Sequence, residues 1–368
     1  MTAQQKHLHM PQSIFAFSLF VMFFAAQTRA TDDATAATNR AKLSVLSFNI
    51  LQGGGNAANV GFRNQEFGGS RLDEIAAVIR RSKANVVGIQ EDDRTGKLLA
   101  ELGDEWTRVG SIYSTLKLTS IAKAKWLTVV RVETEKGPIV VANCHWRPSN
   151  YGPFLVQDYL RKNGVPDDLL AFEKAILKES DRTSGDRGYQ QTVDALRPLI
   201  ESGESVVVTG DFNEPSHLDW TKAAAENGMD RWVKNATATP LRFPISWTGS
   251  RVMKKLGLKD AYRTRFPNET QSPGNTWTPP YPDKTPGRRP YSDQVLDRID
   301  MIYFAGKLKL RSAAVIGESK EMSDIVFKGR WPSDHRAVLS DFDVEEHNSK
   351  NQNAEAIMEC PHFLYQGL

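Results

Sequence analysis

Short apolar runs that carry a polar side chain at one end recur along this chain and limit its folds to covered sheets. The clearest run is Ser205–Gly210, SVVVTG, which is followed by Asp211, Phe212 and Asn213. A valine-rich strand is typical of a sheet covered on both faces. In extended chain, Asp211 and Asn213 would share one side while Phe212 packs on the other. An ordinary strand-to-loop turn explains the Asp and the Asn equally well.

The same pattern recurs at five further predicted strands. Their polar residues are Asn49 at the end of Leu43–Asn49, Glu91 after Asn85–Gln90, His145 at the end of Pro138–His145, Asp300 within Asp297–Phe304, and Asp334 and His335 before Arg336–Val344. A single polar residue of this kind is explained by the turn that follows the strand. Six repetitions indicate strand ends that converge on a shared cleft.

Helical segments between these strands predict covering layers. Ser70 with Asp73 resembles a capping box that opens a helix, and residues 167–178 and 188–201 are further helix candidates. Residues 126–132 and 138–145 predict a hairpin around Glu135. Residues 233–295 are rich in Pro, Gly and Thr and are expected to be mostly loop. A mixed sheet with covering helices accommodates this order of elements.

The N-terminus predicts export. Ser13–Ala26 is an apolar run of signal-peptide length, and Thr28-Arg29-Ala30 is a small-x-small cleavage site. We therefore expect a signal peptide over 1–30, a linker over 31–42, and no membrane span after processing. The protein is then expected to be periplasmic, cell-surface or extracellular. A short N-terminal membrane anchor is the alternative.

Charge does not favour a polyanionic partner. Removal of residues 1–30 takes away Lys6 and Arg29 and no acidic residue, so the formal net charge falls from +3 to +1. A nearly neutral protein has no global electrostatic case for binding nucleic acid. The basic clusters at residues 251–255 and 284–289 are expected to be solvated loop surface, and residues 345–368 form a polar tail.

Histidines sharpen the case for a cleft. Outside the predicted signal peptide and tail only His145, His217 and His335 remain, and two of these belong to the strand-end set. Core burial is the less favoured interpretation for His145 and His335. The two cysteines, Cys144 and Cys360, are expected to be free.

These motifs resemble the endonuclease/exonuclease/phosphatase superfamily. The segments SFNI, GIQED, NCHW, GDFN, DRIDMIY and SDHRAV occur in the order of that family, over Leu43–Val344. The resemblance implies one catalytic domain over 43–344. It also implies an α/β (α+β) fold, a four-layer αββα sandwich of two packed mixed β-sheets flanked by helices, and metal-dependent hydrolysis of phosphoesters.

The resemblance also implies a metal set. Glu91 matches the principal metal ligand, and Asn49 and Asp334 match residues close to the metal and the phosphate. Oxygen ligands suit a hard cation, Mg²⁺ or Mn²⁺.

The remaining family positions imply catalytic roles. Asp211 matches the residue that positions or deprotonates the attacking water, and Asn213 and His145 match groups that hold phosphate oxygens. His335 matches the imidazole that faces the scissile phosphate, and Asp300 the carboxylate that orients it.

The expected function is exported, divalent-metal-dependent hydrolysis of phosphoesters, with phosphodiesters favoured, by in-line attack of an activated water. A nuclease acting on DNA or RNA is the alternative, and a catalytically silent exported binding protein is a further one. The Asp-x-His motif of binuclear metallophosphoesterases does not occur. Trp146, Trp277 and Trp331 either pack or contact the substrate. We expect a monomer whose partner is a phosphoester substrate.

Overall fold

The computed structural model describes residues 42–55, 69–93, 95–182, 188–226, 244–285 and 288–345. The predicted signal peptide lies outside these residues, as do all of the predicted linker except Lys42 and all of the predicted tail except Glu345. Those three segments stay predictions. No helix of the described ranges is both long enough and apolar enough to cross a bilayer.

Two mixed sheets form the centre of the fold. The described strands are β1 Lys42–Asn49, β2 Val86–Gln90, β3 Thr107–Val109, β4 Ile112–Ser114, β5 Leu118–Ala124, β6 Leu127–Thr134, β7 Gly137–His145, β8 Val206–Asp211, β9 Lys259–Asp260, β10 Asp300–Ala305, β11 Leu308–Gly317, β12 Ile325–Val326 and β13 Ala337–Val344. The seven-stranded sheet has the order β12-β11-β13-β1-β2-β4-β3. The six-stranded sheet has the order β5-β6-β7-β8-β10-β9.

Helices cover the outer faces of both sheets. The described helices of five or more residues are α1 Leu72–Ser82, α2 Lys97–Leu102, α3 Gly152–Asn163, α4 Leu169–Arg182, α5 Tyr189–Glu201, α6 Lys222–Glu226, α7 Thr248–Lys255 and α8 Ala261–Arg265. Ile75 of α1 packs with Phe48 of β1, and Leu196 of α5 packs with Val208 of β8. The predicted four-layer αββα sandwich is therefore confirmed.

Burial on both faces of the strands explains their composition. In β8, Val206 and Val208 contact the helical layer, whereas Val207 faces the other sheet. Every residue of β8 is buried. Polar positions cannot be tolerated along such a strand without a partner, which is why the polar residues collect at its end.

The core between the sheets turns polar near the carboxyl ends of β2 and β8. Gln90 Nε2 donates to Asn143 Oδ1 at 2.6 Å, and Thr209 Oγ1 donates to the same oxygen at 2.9 Å. The absence of a side chain at Gly88 leaves room for the Thr209 hydroxyl, because a Cβ at this position would lie 2.0 Å from Thr209 Oγ1. The two sheets are thus joined by hydrogen bonds directly beneath the predicted site.

Several local predictions need correction. The capping box at Ser70 is wrong: Arg71 occupies the N-cap of α1, and its guanidinium donates to the carbonyl of Leu51 at 2.7 Å. The helix predicted at 167–178 is observed as α4. Helix α3 and the ten-residue strand β11 were not predicted at all, and α7, β9 and α8 lie within the stretch expected to be mostly loop.

Candidate active site

Three neighbouring strands of the six-stranded sheet place three predicted residues in one row. In the register of β8, Asp211 lies opposite His145 of the parallel strand β7 and opposite Asp300 of the antiparallel strand β10. His145 Nε2 lies 3.6 Å from Asp211 Oδ2. The hydrogen-bonded ladder of the sheet therefore brings together residues that are up to 155 positions apart in the sequence.

His335 closes this row from the seven-stranded sheet. Its Nδ1 lies 2.9 Å from Asp300 Oδ2, and its Nε2 lies 3.9 Å from Asp211 Oδ2. Burial alone would lower the pKa of His335, but Asp300 and then Asp211 outweigh burial and raise the pKa to about 10. The imidazole is thus a buried cation at neutral pH. The expectation that His335 escapes burial is wrong, because only 4% of the residue is exposed.

Asp211 is almost completely buried and its two oxygens have different donors. Asn49 Nδ2 donates to Oδ2 at 2.9 Å, and the backbone N–H of Asn213 donates to Oδ1 at 2.9 Å. Burial is the main cause that raises the pKa of Asp211 to about 6; His335 opposes this rise and Asp300 adds to it. The carboxylate is ionised at neutral pH and is basic for an aspartate.

Asn213 reaches the site by a turn and not by strand alternation. Strand β8 ends at Asp211, and Asn213 has a left-handed φ of 49°, which asparagine tolerates better than most residues. Its Nδ2 donates to the carbonyl of Trp146 at 2.8 Å. Phe212 does pack inward as predicted: it is 1% exposed, and its ring meets that of Trp146 edge-on at 4.7 Å.

Glu91 is held at the end of β2 by a tight turn after β1. Glu91 has a φ of 54°, and its Oε2 accepts a hydrogen bond from the backbone N–H of Gln52 at 2.7 Å. Asn49 Nδ2 lies 3.4 Å from Glu91 Oε1, which leaves this oxygen only weakly engaged. Asn49 itself is fully buried, and its Oδ1 accepts from the N–H of Leu51 at 3.0 Å.

Asp334 lies beside the imidazole and contacts an arginine that the sequence did not identify as functional. His335 Nε2 is 4.0 Å from Asp334 Oδ1, and the guanidinium of Arg288 hydrogen-bonds to Asp334 Oδ2. Burial would raise the pKa of Asp334, but Arg288 and His335 hold it below its usual value. The expected solvated surface at 284–289 is therefore wrong for Arg288. The concentration of basic residues there was the only signal.

The donor set fits a hard divalent cation. The oxygens Asp300 Oδ1 and Asp334 Oδ1 are buried and have no hydrogen-bond partner among the described residues. Ligand atoms of Asp211, Asp300 and His335 also lie within 4.8 Å of one another. In this group the imidazole of His335 is held by Asp300 through Nδ1, and a ring nitrogen would have to be deprotonated to bind a metal. Glu91 and Asp334 offer carboxylate oxygens, which are the ligands that Mg²⁺ or Mn²⁺ prefers.

The three tryptophans separate into two groups. Trp146 and Trp331 are buried, at 1% and 8% exposed, and act in packing. Trp277 is partly exposed, and its ring centroid lies 6.3 Å from that of His335. Trp277 therefore forms part of the site wall. Cys144 is buried and free, as expected, and Cys360 lies outside the described residues.

The chain matches the model of the Endonuclease/Exonuclease/phosphatase family over residues 46–335. That range contains all eight predicted site residues. A similar sequence is an uncharacterized protein of Caenorhabditis elegans, which is 24% identical over 342 residues, covering 88% of this chain and 98% of that protein.

Solved structures of several proteins are also similar. An endonuclease/exonuclease/phosphatase from Beutenbergia cavernae is 16% identical, covering 83% of this chain and 72% of its own, with a TM-score of 0.42. D. rerio TDP2 complexed with single strand DNA product is 14% identical, with 82% and 99% covered and a TM-score of 0.43. The mannosyl-6-phosphatase of Bacteroides thetaiotaomicron is 14% identical, with 82% and 99% covered and a TM-score of 0.41.

Proposed function

Since the chain belongs to the Endonuclease/Exonuclease/phosphatase family, we propose that it hydrolyses phosphoester bonds, and phosphodiesters in particular, with the help of a divalent cation. The observation that carries this proposal is the row of His145, Asp211 and Asp300 with His335 closing it. In this arrangement the basic carboxylate of Asp211 and the buried imidazolium of His335 lie next to each other. A base that activates water and a cation that stabilises the phosphoryl oxygens both accelerate hydrolysis of an anionic ester.

Asp211 acts as the base in this proposal. Its pKa of about 6 leaves it ionised at neutral pH yet able to accept a proton from an attacking water. Asn49 and the backbone of Asn213 each donate to a different oxygen of the carboxylate. Those two hydrogen bonds fix the plane of the carboxylate and so orient the water.

His335 neutralises the phosphoryl group. Asp300 holds Nδ1 at 2.9 Å, so the remaining N–H, on Nε2, faces the space shared with Asp211 and Asp334. A buried cation that is held in place before substrate binds costs no reorganisation during the reaction. His145, whose side chain is 26% exposed, adds a second donor beside Asp211.

Glu91 and Asp334, with Asn49 adjacent to Glu91, would hold Mg²⁺ or Mn²⁺. When bound there, such a cation would supply charge neutralisation at the phosphoryl oxygens. Asp334 Oδ1 is the oxygen without a hydrogen-bond partner among the described residues, so it remains for a cation while Oδ2 contacts Arg288.

Hydrolysis of bis(p-nitrophenyl) phosphate by the purified protein tests the proposal. We expect turnover with Mg²⁺ or Mn²⁺ that stops in excess EDTA and returns when the metal is restored. Full activity in EDTA would contradict the role of the metal. Absence of turnover with DNA, RNA, sphingomyelin, sugar phosphates and nucleotides as well would favour the silent binding protein instead. The same panel identifies a nuclease if only DNA or RNA is cleaved.

We also propose export. The apolar run Ser13–Ala26 and the site Thr28-Arg29-Ala30 support a mature N-terminus at Thr31. N-terminal sequencing of protein from the native host checks this. Retention of residues 13–26 in a membrane fraction would instead indicate the N-terminal anchor.

A further inference from the structure

The turn that follows β1 has an unusual backbone conformation. All five residues of 51–55 have a left-handed φ, between 52° and 80°. Three of them are glycines, which adopt this conformation without a steric penalty, but Leu51 and Gln52 carry side chains that resist it. A strained backbone of this kind persists only where the surrounding structure holds it. The turn therefore needs support from outside itself.

The N–H groups of this turn hold two residues of the candidate metal site. The N–H of Gln52 donates to Glu91 Oε2 at 2.7 Å, and the N–H of Gly53 donates to the carbonyl of Glu91 at 2.7 Å. The N–H of Leu51 donates to Asn49 Oδ1 at 3.0 Å. A shift of the turn would therefore move the Glu91 carboxylate and the Asn49 amide together.

Left-handed backbone is concentrated around the candidate active site. Six non-glycine residues of the described ranges have such a φ, and four of them belong to the site or to this turn: Leu51, Gln52, Glu91 and Asn213. Strain that collects at one site is characteristic of positions that the rest of the fold holds in place. The contacts that support the turn are therefore part of what fixes the geometry of the site.

Arg71 supplies this support. The residue is 0% exposed and lies at the N-cap of α1. Its Nη2 donates to the carbonyl of Leu51 at 2.7 Å and to that of Ile50 at 3.3 Å. Its backbone N–H donates to the carbonyl of Gly54 at 2.8 Å. Arg71 thus contacts the turn near both of its ends, and a planar guanidinium suits this task because its N–H donors have a fixed arrangement.

The charge of Arg71 also lies close to the metal side of the site. Burial lowers the pKa of Arg71 to about 10, and Asp334 is the strongest of the groups that oppose this shift, with Glu91 also opposing it. The guanidinium is therefore cationic at neutral pH. Its charge in turn helps to hold the pKa of Asp334 below its usual value.

We propose that Arg71 is a positioning residue of the metal site, because it holds the left-handed turn at 51–55 whose N–H groups fix the Glu91 carboxylate and the Asn49 amide. The proposal rests on the proposed function, of which the metal site is a part. It predicts the sign of an effect. Loss of positioning weakens cation binding, whereas loss of a nearby positive charge alone would strengthen it.

Titration calorimetry of the full chain with Mn²⁺, without substrate, tests the proposal. In Arg71→Met, which fills space but has no donors, the Kd for Mn²⁺ should rise by roughly 10- to 100-fold, as is typical when a residue that orients metal ligands is lost. In Arg71→Lys, which keeps the charge but not the planar donor group, it should rise several-fold. Gln52→Gly added to Arg71→Met should recover part of the affinity, because glycine adopts the left-handed φ without support.

The matched control is Arg263→Met. Arg263 is also buried, at 6% exposed, and its guanidinium donates to the carbonyls of Ser272 and Pro273 at 2.6 Å and 2.8 Å. Its loss should lower the unfolding temperature and leave the Kd for Mn²⁺ unchanged, so it separates general destabilisation from positioning.

A normal or lower Kd in folded Arg71→Met would overturn the proposal, as would equal weakening in Arg263→Met. If Arg71→Met does not fold, a normal Kd in Arg71→Lys overturns it. Turnover of bis(p-nitrophenyl) phosphate at saturating Mn²⁺ reports separately on the proposed function. An unmodified protein that binds Mn²⁺ without turnover would contradict the proposed hydrolysis, while the Kd values still decide the role of Arg71. Absence of Mn²⁺ binding to the unmodified protein would overturn both.

Discussion

The two sheets contribute to the site in different ways. The six-stranded sheet supplies His145, Asp211 and Asp300 from positions that lie side by side in the ladder. The seven-stranded sheet supplies Glu91 and Asp334 from residues beyond the ends of strands, held by the N–H of Gln52 and by Arg288. One half of the site is set by strand register and the other by loop contacts.

This difference predicts that the two sides of the site have different roles. Ladder hydrogen bonds hold backbone positions within narrow limits, which suits groups that must meet the reacting phosphorus in one geometry. Residues beyond the strand ends that are held by single contacts, such as those from the N–H of Gln52 and from Arg288, can adjust their positions, which suits ligands of a cation. We therefore expect substitutions on the loop side to alter metal dependence and substitutions on the ladder side to alter the chemistry.

Glu91→Gln should have the largest effect. The change keeps the shape but removes the charge that holds the cation, so the rate should fall by about 10³-fold or more, since metal stabilisation is worth several kcal/mol. The measurement is bis(p-nitrophenyl) phosphate turnover over a range of Mn²⁺ concentrations, with thermal unfolding as the check on folding. Normal turnover of Glu91→Gln at low Mn²⁺ concentration would contradict the assignment of Glu91 as a metal ligand.

Asp211→Asn should follow, with a cost of about 3–5 kcal/mol in the barrier, or roughly 10²- to 10⁴-fold in kcat, from base and electrostatic effects together. Its metal dependence should stay normal. The neighbouring Phe212→Ala is the matched control: it should lower the free energy of unfolding by about 3–5 kcal/mol because the ring is buried. Folded Phe212→Ala should keep the chemistry. If Phe212→Ala loses turnover while Asp211→Asn retains it, the assignment of the ladder is wrong.

Asp300→Asn should shift the pH profile of kcat. The reaction needs Asp211 ionised and His335 protonated, so the rate should rise through about pH 6 and fall through about pH 10. Asp300 raises both pKa values, so its neutralisation should move both limbs to lower pH. If both limbs of the pH profile stay at the same pH in Asp300→Asn, the contact between His335 and Asp300 does not control the protonation of His335.

The same pKa shift affects folding stability. Because the pKa of His335 is raised above its ordinary 6.5, the stabilisation from its protonated form is complete below that pH and is lost as pH rises through about 10. In Asp300→Asn the free energy of unfolding should fall less between pH 7 and pH 10 than in the unmodified protein. Chemical denaturation at the two pH values measures this difference.

Asn213→Ala should have the smallest effect, a several-fold loss of rate, because it removes one neutral hydrogen bond. Asn213→Gly is the matched control, since glycine accepts the left-handed φ that alanine resists. Equal losses in both variants assign the effect to the amide, whereas a loss in Asn213→Ala alone assigns it to the backbone.

Local pattern alone identified seven of the thirteen described strands, including those whose ends carry the predicted site residues. Apolar runs such as Ser205–Gly210 predict strands covered on both faces because side-chain alternation and burial are properties of adjacent residues. The sequence also predicted that Phe212 packs inward, which the structure confirms. It could not predict that Asn213 leaves the strand by a left-handed turn, since that depends on the carbonyl of Trp146, 67 positions away.

Only the tertiary structure decided how the polar ends meet. The alignment of Asp211 with His145 and Asp300 depends on strand register, and the arrival of Arg288 at Asp334 depends on a connection with no periodic pattern. The raised pKa of His335 arises where the two sheets approach each other. Side-chain periodicity is a property of residues that are adjacent in the sequence. Strand register and the spacing between sheets depend instead on contacts between residues far apart in the chain.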